Sequence, residues 1–320
     1  MSLYDNPLNL EEQILFMKKY VIFSKRVKMR RFLTYTGYFR ASRYGKFLLS
    51  YSHLLGGKPS QDLLFKIYDF DTALRELLLV YSKKAEIQFK SHLSNSISLK
   101  LKSATFYLNI ANYTPSKGER DSNKRNLNKK HFSKFIKKLK KDEEDLRKNI
   151  LKYPELKEYR TGGKRTRYKI PSWAAFSYFD LGNIVYIYSY LNGALRKEVL
   201  QYGYSRKSYG KNVTKQVDTW LDAIRNLRNV CAHHNKLVGK TSSIVLLDNL
   251  DDDDILSNNT DLFSRLYALK KILREKDADN LKIDLKKLIN KKNIDIYKFN
   301  ILPKDWENIK LIYINIFFIY

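Results

Sequence analysis

The stretch from Val213 to Leu237 constrains the fold more than any other, because its apolar and polar residues each recur with helical spacing. Val213, Val217, Trp220, Leu221, Ile224, Leu227 and Cys231 are separated by steps of one, three or four. That is the pattern of a helix burying one face. Arg225, Asn229 and His233 are each four apart and share a second stripe, with Arg228 between the two. Asn235 and Gly239 are the expected stop signals. A helix with one buried stripe must be covered by others, so the expected fold is mainly α, a helical bundle with this helix inside. Strand-like alternation is scarce, and SSIVLL at 242–247 is the best short candidate.

The polar stripe offers an Arg, an amide and a His. Imidazole moves protons near neutral pH, and guanidinium presents fixed charge and a forked donor set suited to phosphate oxygens. These groups are enough to cleave RNA without a metal. One removes the 2′-OH proton, one protonates the leaving 5′ oxygen, and Arg offsets charge at phosphorus. The same residues also suit a plain helix end, where Arg and His bond the last carbonyls and favour the negative pole. A straight helix turns about 100° per residue, which sets Arg228 and His233 roughly 140° apart.

Arg228-Asn229 followed by His233 has the form R-N-x-x-x-H. It resembles the motif of HEPN-superfamily ribonucleases, an Arg and a His four to six residues apart. The longer string RNLRNVCAHHNKL resembles the AbiD/AbiF-type abortive infection proteins. Other stretches carry the same resemblance in the same order: GYFRASRY at 37–44, Tyr68-Asp69-Phe70-Asp71 through Leu74-Arg75, Pro171 and Trp173 with Phe179 to Gly182, and Ile301 to Trp306. The Glu usual near Ser177-Tyr178 is missing, and no role is assigned there. The resemblance implies a HEPN-like helical bundle, with additional N-terminal helices and a basic helical insert. It implies a toxic ribonuclease of phage defence or a toxin–antitoxin system, leaving a 2′,3′-cyclic phosphate and a 5′-OH. His233 would transfer the proton, Arg228 would hold the scissile phosphate, and Asn229 would orient His233 or touch substrate. His234 is a substitute base and Arg225 a supporting ligand. It also implies a homodimer that brings two motifs into one cleft. In AbiF-like systems a small noncoding RNA acts as the antitoxin. The alternative is a protein that holds a structured RNA and cuts it weakly or not at all.

Charge supports an RNA partner. There are 61 Lys and Arg against 33 Asp and Glu, a net +28, which favours a polyanion. A lysine-rich genome is the bland account. Two regions concentrate the signal. Near the start, Tyr35, Tyr38, Phe39, Tyr44 and Phe47 alternate with Arg30, Arg31, Arg40 and Arg43. Aromatic and Arg together suit single-strand binding, but helix packing with Arg stems across the rings is favoured here. Farther on, the insert 115–170 reads as a basic helix with a narrow seam of Phe132, Phe135, Ile136 and Leu139. A Gly162-Gly163 loop follows, edged by Lys164, Arg165 and Arg167. It is the best candidate for tracking phosphates, and an exposed insert kept soluble by charge is the competing account.

The remaining expectations are quickly stated. Residues 1–60 form an N-terminal helical region, 61–280 the HEPN-like domain including the insert, and 281–320 a C-terminal packing segment. Asn9, followed by Glu11, Glu12 and Gln13, caps a first helix with acidic residues in its first turn. Gly56 to Ser60 is a break, Asp71 or Thr72 caps a long helix, and Arg75, Lys84 and Glu86 sit near the active site or, as favoured here, lie on its solvated face. His92 and His131 lack partners in sequence. Asp251 to Asp254 read as a solvated loop rather than a metal site, and no cofactor fingerprint occurs. Cys231 is the only cysteine, the first residues hold no apolar core, and no run reaches the ~20 residues of a spanning helix. A cytoplasmic protein with no membrane partner is expected.

Overall fold

The structure, a computed structural model, describes residues 7–149, 151–159, 169–204, 213–242, 244–246, 258–304 and 306–308. It is built from α-helices, and no strand occurs among the described residues. Residues 244–246 of the candidate strand are irregular. The chain begins with α1 (Leu10–Met17), whose Asn9 side chain accepts from the Glu12 N–H while Glu12 reaches back to the Asn9 N–H. This reciprocal box satisfies two donors that the first turn would leave orphaned. Next come α2 (Arg26–Thr36) and α3 (Tyr38–Leu49). Gly37 separates them at φ 79°, a left-handed value that a Cβ disfavours.

A short α4 (Ser52–Leu55) leads into α5 (Gln61–Leu101), 41 residues long. At 1.5 Å per residue this helix is roughly 60 Å from end to end. Its N-cap is Ser60, which accepts from the Leu63 N–H at 3.2 Å. The capping role expected of Asp71 or Thr72 is therefore wrong, since both lie three turns inside. The helix starts earlier because Gln61 to Phe70 already carry the apolar stripe Leu64, Ile67, Phe70, all fully buried. Packed along α5 are α3, α7 (Ser172–Tyr178), α8 (Leu181–Tyr190), α9 (Gly193–Tyr204), α10 (Val213–Ala232), α11 (Leu262–Ile272) and α12 (Glu275–Lys292).

The basic helix α6 (Ser122–Lys148) lies on the body through Phe132, Phe135, Ile136 and Leu139, the seam expected from sequence. Phe135 stacks on Tyr190 of α8 at 6.0 Å between centroids. Each buried ring or leucine there stabilises the docking by about 1.5–3 kcal/mol. The 160–168 loop, with Lys164, Arg165 and Arg167, lies outside the described residues, as do Asp251 to Asp254. No helix among the described residues is long and apolar enough to cross a membrane.

The expectation that α5 turns Arg75 and Glu86 to solvent is also corrected. Asp71 and Arg75 are 0% and 3% exposed. Asp71 accepts from Arg75 one turn along, from the Tyr44 hydroxyl of α3, and from two backbone N–H groups beyond α10. Those are Leu237 N–H at 3.0 Å and Val238 N–H at 2.7 Å. Arg75 also donates to the Tyr44 oxygen at 2.8 Å. Burial pushes the Asp71 carboxyl up, while Tyr44, Arg75 and the two N–H groups pull it back. Replacing Asp71 by Ala should cost about 3–5 kcal/mol, because Arg75 is left charged and buried. Urea unfolding measures this. Removing Arg75 as well should not restore stability, since the Leu237 and Val238 donors stay orphaned; full recovery in the double variant would refute the account.

Candidate functional site

Helix α10 forms as its two stripes require. Val213, Val217, Trp220, Leu221, Ile224, Leu227 and Cys231 are all buried. Asn229 is exposed and Arg225 half-buried on the opposite stripe. The helix stays regular to Ala232, and the His233 N–H still donates to the Asn229 carbonyl at 3.0 Å. Its end differs from expectation. His234, not Asn235, takes the left-handed conformation, at φ 53°. The His234 N–H bonds the Cys231 carbonyl at 3.1 Å and the Asn235 N–H bonds Val230 at 3.0 Å. This pair of bonds satisfies the last carbonyls of the helix. The chain must turn sharply here because Leu237 and Val238 are held by Asp71, and His234 absorbs the reversal. Both histidine side chains are left exposed at the end of the helix.

Arg228 is placed differently. Its Nε lies 3.8 Å from the Glu86 carboxylate of α5, and Nη1 contacts the Asn229 amide oxygen at 3.4 Å. The Glu86 side chain is only 11% exposed and pairs with Lys90 at 2.7 Å. Lys90 in turn donates to the Phe179 carbonyl at 2.7 Å, at the corner between α7 and α8. Arg228 thus emerges from the α5 side of α10 onto a fixed, charged floor, while His233 emerges from the solvent side. The helical hydrogen bonding continues to His233, so regular geometry sets the two roughly 140° apart within one chain. Arg225 pairs with Asp222 at 2.8 Å and lies 5.7 Å from the Tyr186 ring.

The other candidates separate. Arg40 is exposed on α3, and Arg43, half-buried, lies 5.8 Å from the centre of the Phe39 ring. Of the aromatic cluster, Tyr44 and Phe47 are core, and Tyr38 packs on Phe16, as favoured from sequence. Tyr35 and Phe39 are not: they stand 83% and 77% exposed. His92 is a packing residue, wedged between Tyr204 and Tyr202 with Gly203 against its ring. Among the described residues, no three His, Cys, Asp or Glu come together to hold a metal ion.

The sequence admitted Glu86 near the site without favouring it, and it carried no signal for Lys236. Lys236 lies just beyond the histidines, with its Nζ 4.5 Å above the Phe47 ring of α3. Burial pushes its ammonium down to about 8; Asp71 opposes the shift and Arg43 adds to it. The available signal for Glu86 was its i,i+4 pairing with Lys90 within the otherwise apolar run of α5.

Burial also pushes the Cys231 thiol up to about 12. Thiolate is the reactive form, so Cys231 should resist a disulfide reagent in the native protein at pH 8 and react fully in denaturant. Rapid native labelling would contradict the buried placement. Compared with known families, residues 31–238 match the model described as Abi-like protein. No curated protein and no solved structure matches the chain.

Proposed function

Because the chain belongs to the Abi-like protein family, we propose that it is an abortive-infection effector, a metal-independent endoribonuclease whose chemistry is carried by Arg228 and His233. The observation that carries the reading is the end of α10. A phosphate ligand, Arg228, is anchored against Glu86, and a proton carrier, His233, is exposed one turn beyond with Asn229 beneath it.

In the reaction, an imidazole takes the proton of the RNA 2′-OH and that oxygen attacks phosphorus. The P–O5′ bond breaks, and the departing oxygen receives a proton from a second acid. The products are a 2′,3′-cyclic phosphate and a 5′-OH. Arg228 offsets the charge that builds on the phosphoryl oxygens. One chain offers His233 and Arg228 on different sides of a straight helix. Two chains meeting along the stripe of half-buried Asp222 and Arg225 and exposed Asn229 and His233 would place His233 of one copy beside Arg228 of the other. A two-fold dimer supplies both the base and the acid. His234 is the substitute base, and Arg225 steadies a neighbouring phosphate.

A second reading has its own observation. On α6, Lys129, Lys130, Lys134, Lys137 and Lys141 are exposed and form no ion pair among the described residues. Such a surface fits the phosphates of a structured RNA, including a cognate noncoding RNA that restrains the enzyme. Its mark would be RNA binding that falls steeply with salt and survives loss of His233.

The deciding experiment incubates RNA with purified protein, freed of bound nucleic acid, in EDTA. Wild type should cut and leave cyclic phosphate ends, while His233→Ala and Arg228→Ala should lose about 10²–10⁴-fold in rate. Equal cutting by all three would reject both assignments. Sedimentation should show a dimer at micromolar concentration; a fully active monomer would reject the shared cleft.

A further inference from the structure

The segment 35–47 divides its aromatic residues in two. Tyr38, Tyr44 and Phe47 find packing partners. Tyr35 and Phe39 contribute almost nothing to the core, at 83% and 77% exposure. They flank Gly37, and the space over that corner is open, with no atom within 4 Å of where a Cβ would stand. Two large rings left in water beside an open corner carry a hydration cost that folding does not explain.

Their setting is basic and continuous with the end of α10. Phe39, Arg43 and Phe47 are four residues apart and form one stripe of α3. Phe39 is at the solvent end with Arg43 beside its ring. Phe47 is at the buried end, where Lys236 lies over it and Gly239 packs so closely that a Cβ would approach it to 2.3 Å. The stripe is about 12 Å long by helical rise. It therefore runs from an exposed ring to the loop that directly follows His233 and His234. Arg43 and Lys236 repel each other across it, and an anion between them would relieve the repulsion.

We propose that Tyr35 and Phe39 are a stacking platform for unpaired bases of single-stranded RNA, with Arg40, Arg43 and Lys236 taking the phosphates that lead the strand to His233. The inference rests on the ribonuclease reading and names its substrate class. A base stacks on an aromatic face whatever its identity, so the platform selects unpaired RNA rather than a sequence. In a duplex the bases are already stacked on one another and are not offered.

The test measures anisotropy of a short labelled single-stranded oligoribonucleotide, 2′-O-methylated so that it cannot be cut, beside a blunt duplex of the same sequence. Tyr35→Ala and Phe39→Ala should each weaken single-strand binding about 5- to 100-fold. Duplex binding should be unchanged, and Phe39→Trp should restore affinity. Phe39→Ala should leave the salt slope of log affinity alone, whereas Arg43→Ala should reduce it by about one. Both rings are exposed, so melting temperatures should stay at the wild-type value. Unchanged single-strand affinity in both Ala variants would overturn the platform while leaving the ribonuclease reading intact. So would an equal loss for duplex, or a changed sedimentation coefficient without RNA, which would assign the rings to a protein contact. Wild type that binds neither RNA would overturn both.

Discussion

A single buried carboxylate joins the parts of this protein that matter most. Asp71, near the start of the α5 spine, takes hydrogen bonds from α3, from α5 itself and from the loop after α10. An ionised group in this position is very costly unless it is paired and fully bonded. Tyr44, Arg75, Leu237 N–H and Val238 N–H meet that requirement only if three segments distant in sequence arrive together. The cost of leaving Asp71 unsatisfied thus enforces the arrangement. It fixes the angle at which the chain leaves α10, and so where His233 and His234 stand.

From that anchor the site follows by helix geometry. The loop at 237–238 is tied down, the helix ends at Ala232, and His234 must take the left-handed turn between them. Farther down α5, Glu86 and Lys90 supply a second fixed charge pair under Arg228. The same two helices therefore hold both members of the proposed catalytic pair, from opposite sides of α10. Their separation follows from the fold, which is why the proposed site calls on a second copy of the chain.

The fold's economy also shows in what it leaves outside. Phe132, Phe135, Ile136 and Leu139 dock α6, Lys138 reaches back to Asn183 of α8, and Lys129, Lys130, Lys134, Lys137 and Lys141 are exposed. The N-terminal helices bury Tyr44 and Phe47 but not Tyr35 or Phe39. A net charge of +28 favours a polyanionic partner at surfaces of this kind.

The sequence alone determined what repeats within a few residues. The period of three and four marked α10 and its two faces and the α6 seam. The Asn9 and Glu12 box and the break before Ser60 were equally legible, because caps and turns are made by neighbours in the chain. Tyr44, Asp71, Arg75 and the string through His233 to Leu237 were visible as separate stretches of a family resemblance. Only the tertiary structure decided that they meet, over separations of 27 and 166 residues, and that Asp71 is a buried hub rather than a cap. It also decided that Glu86 lies under Arg228 and that, of five similar rings, Tyr35 and Phe39 face solvent. Burial and charge pairing are properties of whichever residues become neighbours in space, and no local period encodes them.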